Sequence, residues 1–317
     1  MPFHIRVFTS LPVSIHKLRI KCKQNLALKI LFTCDAARVY NRYKMYREFF
    51  GLKEKPFSVT SDPNFLFLSR VHKEAFSHLV YGIKERKGFL EITGEVGAGK
   101  TTLCRALLNR LDKNTKSAFV FNSTLPELQL LQVILEDFGL VVERKTKASM
   151  LRQLNNFLIE ELAKENNVIL IIDEAQNLKP SVLEEIRMLS NLETEKEKLF
   201  QIILVGQPEL KNKLNSPGLK QLKQRIGVRF HVTPLEKDEI GKYIYHRLAV
   251  AGAKDGEIRF TDDAIECIYR YSGGIPRLIN MVCDKALLAA YVMETRVINL
   301  PMVERSIQEI EGVPIKI

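Results

Sequence analysis

A loop able to hold phosphate groups is predicted at residues 94–101, which read Gly94-Glu95-Val96-Gly97-Ala98-Gly99-Lys100-Thr101. Glycines let the backbone turn tightly and direct successive N–H groups at an anion, and a helix that begins there adds its positive N-terminal end. Lys100 is expected to reach the β- and γ-phosphates of ATP, and the Thr101 hydroxyl is expected to bind Mg²⁺. Residues 94–101 and the adjoining Thr102 are therefore the predicted nucleotide-binding segment.

Two adjacent carboxylates, Asp173 and Glu174, follow the apolar run at residues 168–172. The run predicts a buried strand, which would bring the carboxylates to the same sheet edge as the phosphate-binding loop. We expect Asp173 to hold Mg²⁺ through water and Glu174 to orient and deprotonate the attacking water. Taken alone, the pair could instead be an acidic cap at a helix N-terminus. The nearby loop motif favours the catalytic interpretation.

Three more polar side chains stand where such a site would need them. Gln207 follows the apolar run 202–205 and would lie beside the γ-phosphate if that strand lies between the two motif strands. Otherwise it is an amide that satisfies loop backbone. Arg225 precedes the last predicted strand, and Arg277 lies in the first turn of a later helix. Phosphoryl transfer favours an additional guanidinium, although either arginine could be a solvated charge at a helix end.

The elements that must position these residues alternate between strand and helix. Short β-branched or aromatic runs bounded by turn signals predict five strands, at residues 88–93, 118–122, 168–172, 200–205 and 228–232. Strands separated by helical stretches predict a mostly parallel sheet that is covered on both faces. Beyond Pro234 the pattern becomes helical, at residues 237–251, 261–271, 276–293 and 301–310. We therefore expect an α/β core at residues 45–234, which begins with an aromatic docking segment, and a helical lid at residues 235–317.

Composition indicates a folded protein without a membrane span of its own. The chain has 317 residues, 46% of them hydrophobic and 27% charged, but no apolar run approaches the ~18 residues that a spanning helix requires. The five cysteines form no CxxC pair, which favours a reducing cytoplasmic environment and argues against zinc or a redox dithiol. Of the net charge of +11, the first 44 residues account for +8, because they hold nine basic residues and one acidic residue. The nearly neutral remainder weakens an argument for nucleic-acid binding.

The basic segment at residues 1–44 is expected to be an extension and not a folded domain. Basic residues interrupt each of its apolar runs, so it does not have the pattern of a signal peptide. Two interpretations stay open. The segment is either an arm that contacts a membrane or nucleic acid, or it precedes a translation start at Met45.

Six ordered segments of the chain resemble the ExeA/GspA group of AAA+ ATPases, which is associated with type II secretion, pilus assembly and exopolysaccharide export. The segments are FFGLKEKPFSVTSDPNFLFLS, LVYGIKERKGFLEITGEVGAGKTTL, VILIIDEAQNL, IILVGQPEL, LKQRIGVRFHVTPL and SGGIPRLIN. The resemblance spans about residues 45–310. It implies an AAA+ P-loop core with a five-stranded parallel sheet, followed by a small C-terminal α-helical lid.

The resemblance also implies residue roles. Asp173 and Glu174 correspond to the metal-binding and water-activating carboxylates, and Gln207 corresponds to the first sensor. Arg225 corresponds to the arginine given to a neighbouring subunit, and Arg277 to the lid sensor. ATP and Mg²⁺ are the implied cofactors, and the implied assembly is a homo-oligomer formed with ATP between subunits.

The expected function is ATP hydrolysis that assembles or remodels a secretion, pilus or exopolysaccharide-export system. The protein would be cytoplasmic and peripheral at the inner membrane through a membrane-associated export or pilus partner. The larger members carry a membrane span and a peptidoglycan-binding module after the ATPase core, whereas this sequence ends at Ile317. Related transposition ATPases share the Asp-Glu-Ala-Gln run and bind DNA, so an ATP-dependent DNA-binding regulator of transposition is the alternative. A nucleotide switch without turnover is a third interpretation, against which Glu174 speaks.

Overall fold

The computed structural model describes residues 46–121, 124–192 and 198–312. The expectations for residues 1–44, and for the last residue of the predicted strand 118–122, lie outside these ranges. Within them, a parallel sheet with its flanking helices precedes a group of helices near the end of the chain.

Five parallel strands form one sheet: β1 (Phe89–Gly94), β2 (Thr115–Val120), β3 (Asn167–Ile172), β4 (Gln201–Gly206) and β5 (Ile226–Val232). Their order across the sheet is β2-β3-β4-β1-β5, so β2 and β5 are the edge strands. The predicted five-stranded parallel sheet is confirmed. Because all the strands run the same way, their carboxyl ends meet at one edge, where open α/β sheets bind their ligands.

Helices cover the sheet on both faces. One face packs against α1 (Arg70–Lys84) and α2 (Lys100–Leu108). The other packs against α3 (Glu127–Asp137), α4 (Lys147–Ala163) and α5 (Pro180–Leu189), with the short helices α6 (Pro208–Leu214) and α7 (Lys220–Arg225) joining β4 to β5. In β3, Ile169 and Ile171 face the first cluster, whereas Leu170 and Ile172 face the second. Burial on both faces explains why this strand reads as an uninterrupted apolar run.

The edge strand β2 begins three residues before its predicted start. Its first three residues, Thr115, Lys116 and Ser117, are polar and partly exposed, but they pair in parallel with β3 from Asn167 onward. An edge strand that faces solvent has no need of apolar side chains at these positions, so the sequence pattern does not reveal them.

The end of the described chain consists of α8 (Lys237–Val250), β6 (Arg259–Phe260), α9 (Asp262–Ser272), α10 (Pro276–Val292), β7 (Val297–Ile298) and α11 (Leu300–Glu311). Thr261 is the N-cap residue of α9, and Pro276 occupies the first turn of α10, where its missing N–H leaves no bond unmade. The two-residue strands β6 and β7 pair in parallel and were too short to be predicted.

Aromatic residues before α1 pack onto these last helices. Phe50, Phe57 and Phe65 are buried in the same apolar cluster as Ile244 of α8 and Ile279 of α10. The aromatic segment at the start of the described chain therefore packs against the helices at its end. The domain boundary at residues 234 and 235 stays a prediction. No helix in the described residues has both the length and the apolar character needed to cross a bilayer.

Candidate nucleotide-binding site

The predicted phosphate-binding loop connects β1 to α2 at the carboxyl edge of the sheet. Two glycines of the loop adopt left-handed backbone angles, with φ of +81° at Gly97 and +95° at Gly99. Gly97 also lies against the first turn of α10, because a Cβ added to it would be 2.5 Å from the Cβ of Arg277. Both the backbone angle and the close approach therefore require glycine at residue 97.

Lys100, the first residue of α2, is buried with its amino group turned back over the loop. Its Nζ donates hydrogen bonds of 2.8 Å to the carbonyl oxygens of Gly94 and Glu95. Burial lowers the pKa of Lys100, and the nearby carboxylates of Glu174 and Asp173 oppose that effect. The ammonium is thus held at the mouth of the loop by backbone oxygens, where it can act as the counter-charge of a phosphate group.

Thr101 and Asp173 meet, although 72 residues separate them. The Thr101 hydroxyl donates a 2.6 Å hydrogen bond to Asp173 Oδ2, and the Glu174 N–H donates a 2.9 Å bond to Asp173 Oδ1. Asp173 is only 3% exposed, and this burial raises the pKa of its carboxyl group, while the two hydrogen bonds lower it. A hydroxyl and a carboxylate side by side are the hard oxygen ligands that Mg²⁺ prefers.

Glu174 lines the same cavity as the loop and adopts a left-handed backbone angle, with φ of +53°. Its Oε2 accepts hydrogen bonds from Gln176 Nε2 at 2.6 Å and from Gln207 Nε2 at 3.1 Å. The Gln207 N–H in turn donates to Gln176 Oε1 at 3.0 Å. The strand before Gln207, β4, lies between β3 and β1. This is the strand order under which Gln207 is expected to lie beside the γ-phosphate. Gln176 was missed, although it stands two residues after Glu174 in the acidic motif.

The two candidate arginines lie in different surroundings. Arg277 lines the cavity, and its backbone N–H donates to the Gly97 carbonyl oxygen at 3.3 Å. Arg225 is not among the lining residues. Its guanidinium donates to the Arg187 carbonyl at 3.2 Å and to Ser190 Oγ at 2.8 Å, both at the C-terminal end of α5. Lys100, Glu174 and Arg277 therefore line one cavity with the loop, Gln207 contacts Glu174, and Arg225 lies outside this group.

The cavity beside the loop has a volume of about 280 Å³. Of the predicted binding segment, Val96, Gly97, Gly99, Lys100, Thr101 and Thr102 line it directly. The remaining residues contribute backbone, because the carbonyls of Gly94 and Glu95 hold Lys100 and the Ala98 carbonyl contacts His72. The wall of the cavity opposite the loop consists of the segment before α1 and of side chains from α8 and α10.

Arg247 of α8 joins two parts of that wall and was missed in the sequence. It is 6% exposed, and its guanidinium donates to the carbonyl oxygens of Pro56 at 2.5 Å and of Ser58 at 3.0 Å. The guanidinium also lies 4.7 Å from the ring centre of Phe65. These contacts hold the aromatic segment against α8, and no local pattern around residue 247 announces them.

His72 of α1, also missed, is buried against the loop and contributes to the lining of the cavity. Its Nε2 lies 3.0 Å from the Ala98 carbonyl oxygen, and its Nδ1 lies 2.6 Å from Ser69 Oγ. A carbonyl can only accept, so Nε2 carries the hydrogen, and Nδ1 accepts from the Ser69 hydroxyl in the neutral ring. Burial lowers the pKa of His72, which agrees with a neutral imidazole.

The residues present fit ATP with Mg²⁺. The left-handed glycines leave a concave loop of backbone N–H groups at the start of α2, and Lys100 supplies a cation beside it. Thr101 and Asp173 supply adjacent oxygen ligands for a metal ion, and Glu174 faces the same cavity.

Comparison with known proteins gives a family for the central part of the chain. A family model described as an AAA domain matches residues 83–214. This match includes the loop, Asp173, Glu174 and Gln207 but ends before Arg225 and Arg277. The chain is also 42% identical over 270 residues to General secretion pathway protein A of Aeromonas hydrophila, a match that covers 85% of this chain and 49% of that protein. The chain thus spans about half the length of this relative.

Solved structures with the same fold are much more distant in sequence. The Aeropyrum pernix ORC2 protein in its ADPNP-ADP complexes is 19% identical, with a TM-score of 0.63 over 81% of this chain and 72% of that one. Drosophila ORC bound to DNA is 15% identical, with a TM-score of 0.61 over 98% and 71% of the two chains. A variant of Thermotoga maritima RuvB is 18% identical, with a TM-score of 0.53 over 78% and 70%. At these identities the similarity shows the fold alone.

Proposed function

This chain has the AAA+ P-loop fold and is of the ExeA/GspA type, and we propose that it binds ATP with Mg²⁺ and hydrolyses the ATP to ADP and phosphate. The observation that carries the proposal is the 2.6 Å contact between Thr101 and Asp173. It joins the phosphate-binding loop to the acidic motif, so that two segments recognised separately in the sequence form one site with Lys100 and Glu174 at its border.

Each residue has a role that follows from its position. Lys100, the loop N–H groups and the start of α2 would bind the phosphates. Thr101 and Asp173 would hold Mg²⁺, which neutralises charge on the phosphate oxygens. Glu174 would accept the proton of the attacking water. Gln207, which donates to the Glu174 carboxylate, would orient that carboxylate. Arg277 would bring a cation from α10 to the same cavity.

We propose that the protein acts as a homo-oligomer with nucleotide between subunits. Arg225 lies outside its own subunit's cavity and on an exposed helix end, a position suited to serving a neighbour's site. An arginine supplied in this way stabilises charge that develops in the transition state, and it makes turnover depend on assembly.

The proposed setting is the assembly or remodelling of a secretion, pilus or exopolysaccharide-export system. It is supported by the identity to General secretion pathway protein A over 85% of this chain. Contact with the inner membrane would be peripheral, through a membrane-associated partner. Regulation of transposition on DNA is the alternative, and ATP-dependent, salt-sensitive retention of the protein on DNA would support it instead.

Two substitutions test the ATPase proposal, and each has a matched control. Lys100→Ala should weaken ATP binding by about 100-fold or more, because it removes a charge-assisted contact, whereas exposed Lys113→Ala should not. Glu174→Gln should keep ATP bound and stop phosphate release, because an amide cannot accept the proton. The control is Glu165→Gln. Glu165 is exposed and remote from the loop, and its φ of +60° is similar to that of Glu174.

ATP affinity by calorimetry and phosphate release should be measured on the same preparations. Lys100→Ala with the affinity of the wild type would remove the loop from the mechanism. Glu174→Gln with the turnover of the wild type would remove the carboxylate.

A further inference from the structure

His72, which lines the same cavity as the phosphate-binding loop, has contacts that the proposed reaction does not use. His72 is 3% exposed and sits on α1, which contributes no predicted site residue. Its Nε2–H donates to the Ala98 carbonyl oxygen at 3.0 Å, and Nδ1 is fixed by Ser69 Oγ at 2.6 Å. Its Nε2 would also be 3.1 Å from a Cβ on Gly99. The imidazole therefore packs directly against the loop.

The direction of the Ala98 carbonyl decides the direction of a loop N–H group. In a planar trans peptide the C=O and the following N–H point opposite ways. A carbonyl of Ala98 that is turned toward His72 therefore turns the N–H of Gly99 away from the imidazole. Both neighbours of Ala98 are glycines with positive φ, Gly97 at +81° and Gly99 at +95°. Glycines rotate easily, so the loop's own residues do little to hold this peptide in one orientation.

We infer that His72 is a positioning residue for nucleotide binding: it fixes the orientation of the peptide between Ala98 and Gly99 and so keeps the Gly99 N–H available to a phosphate group. This inference rests on the proposed function, since it concerns the same loop. Preorganised donors bind an anion without the cost of ordering them at the moment of binding, so the imidazole raises affinity for the nucleotide through the loop.

The first turn of α1 is itself held in place from outside. Ser69 caps the helix by accepting from the His72 N–H at 3.2 Å. The N–H of Arg70 donates to Glu239 Oε1 of α8 at 2.9 Å, and the Arg70 guanidinium donates to Asp238 at 2.7 Å. These contacts tie His72 to α8, so α8 supports the loop through α1 as well as by lining the cavity.

The experiment compares one substitution at two histidines of the same helix. His72→Leu removes the Nε2–H donor and puts an apolar side chain of similar bulk in its place. His78→Leu changes a histidine whose side chain is 47% exposed. We expect ATP affinity to fall about tenfold in His72→Leu, the change given by one lost preorganising hydrogen bond, and to stay constant in His78→Leu. KM for ATP should rise with Kd, and kcat at saturating ATP should change less. His72→Gln, whose amide Nε2–H can reach the same carbonyl, should recover most of the affinity.

Each outcome decides the matter. Equal affinities for His72→Leu and His78→Leu overturn the inference, as does a lower melting temperature of His72→Leu with the ATP affinity of the wild type. His72→Gln no better than His72→Leu at equal stability also overturns it. If His72→Leu does not fold, Ser69→Ala, which frees Nδ1, should weaken ATP binding about threefold, and unchanged affinity in that variant refutes the role. A wild type without ATP affinity would instead sink the proposed function, and this inference with it.

Discussion

Replacing Gly97 with alanine tests whether α10 sits on the phosphate-binding loop as described. The added Cβ would lie 2.5 Å from the Cβ of Arg277. Because that atom is fixed by the backbone of α10, rotating a side chain cannot relieve the clash. The start of α10 would have to move by about 1 Å to restore ordinary contact. Such a movement also disrupts the 3.3 Å hydrogen bond from the Arg277 N–H to the Gly97 carbonyl.

Gly139 provides a matched control, because it has the same φ of +81° but nothing within 4 Å of an added Cβ. Gly139→Ala adds only backbone strain, about 1 kcal/mol. Gly97→Ala adds that strain, overpacking of about 1–3 kcal/mol and the loss of a hydrogen bond worth about 1 kcal/mol. We therefore expect the free energy of unfolding to fall by about 3–5 kcal/mol in Gly97→Ala and by about 1 kcal/mol in Gly139→Ala.

Urea unfolding followed by circular dichroism measures both free energies, and calorimetry measures ATP affinity on the same samples. Gly97→Ala should bind ATP at least about tenfold more weakly, because the displaced loop no longer presents its N–H groups together. Gly139→Ala should bind as the wild type does. Equal losses of stability in the two variants, with equal ATP affinity, would refute the reasoning and the placement of α10 against the loop.

Two further predictions concern charged residues. Arg225→Ala should bind ATP normally and hydrolyse it about 10³-fold more slowly, and mixing it with Glu174→Gln should raise activity above either variant alone, since some interfaces then contain both intact residues. A mixture that stays inactive while wild-type turnover is independent of concentration would exclude a shared site. Arg229→Ala should lower the free energy of unfolding by about 1–3 kcal/mol. The substitution removes the guanidinium whose Nε lies 3.2 Å from Oε2 of the buried Glu91 carboxylate. Burial raises the pKa of Glu91, and removing Arg229 raises it further, so this loss should be full only above the pKa of the carboxyl group in the variant and should shrink as acid protonates that group. Adding Glu91→Gln should recover the lost stability at neutral pH. Equal instability of the single and double variants in urea unfolding would contradict that account.

The sheet could be predicted because its central strands are buried on both faces and read as continuous apolar runs. The meeting of the glycine-rich loop and the acidic motif could be predicted because each follows an apolar strand and their residue types recur at short spacing, whereas their roles stay predictions. His72 and Arg247 could not, because their partners are 26 and 191 residues away and each is a single polar residue within a helix. Contacts of this kind depend on how α1 and α8 pack, which no local pattern specifies. The strand order that places Gln207 beside Glu174 likewise needed the structure.

The docking of Arg225 on the end of α5 has a consequence for an isolated subunit. Its hydrogen bonds to the Arg187 carbonyl and Ser190 Oγ must break before the guanidinium can reach a neighbour. For an exposed arginine, releasing them costs about 1–2 kcal/mol, which corresponds to a resting population about 5- to 30-fold in favour of the docked side chain. If Arg225 serves a neighbouring subunit as proposed, a free subunit would keep this arginine docked on its own α5. In the proposed homo-oligomer, association would have to provide a better acceptor than Ser190 does, and this requirement would discriminate a correctly formed interface from a chance collision between subunits.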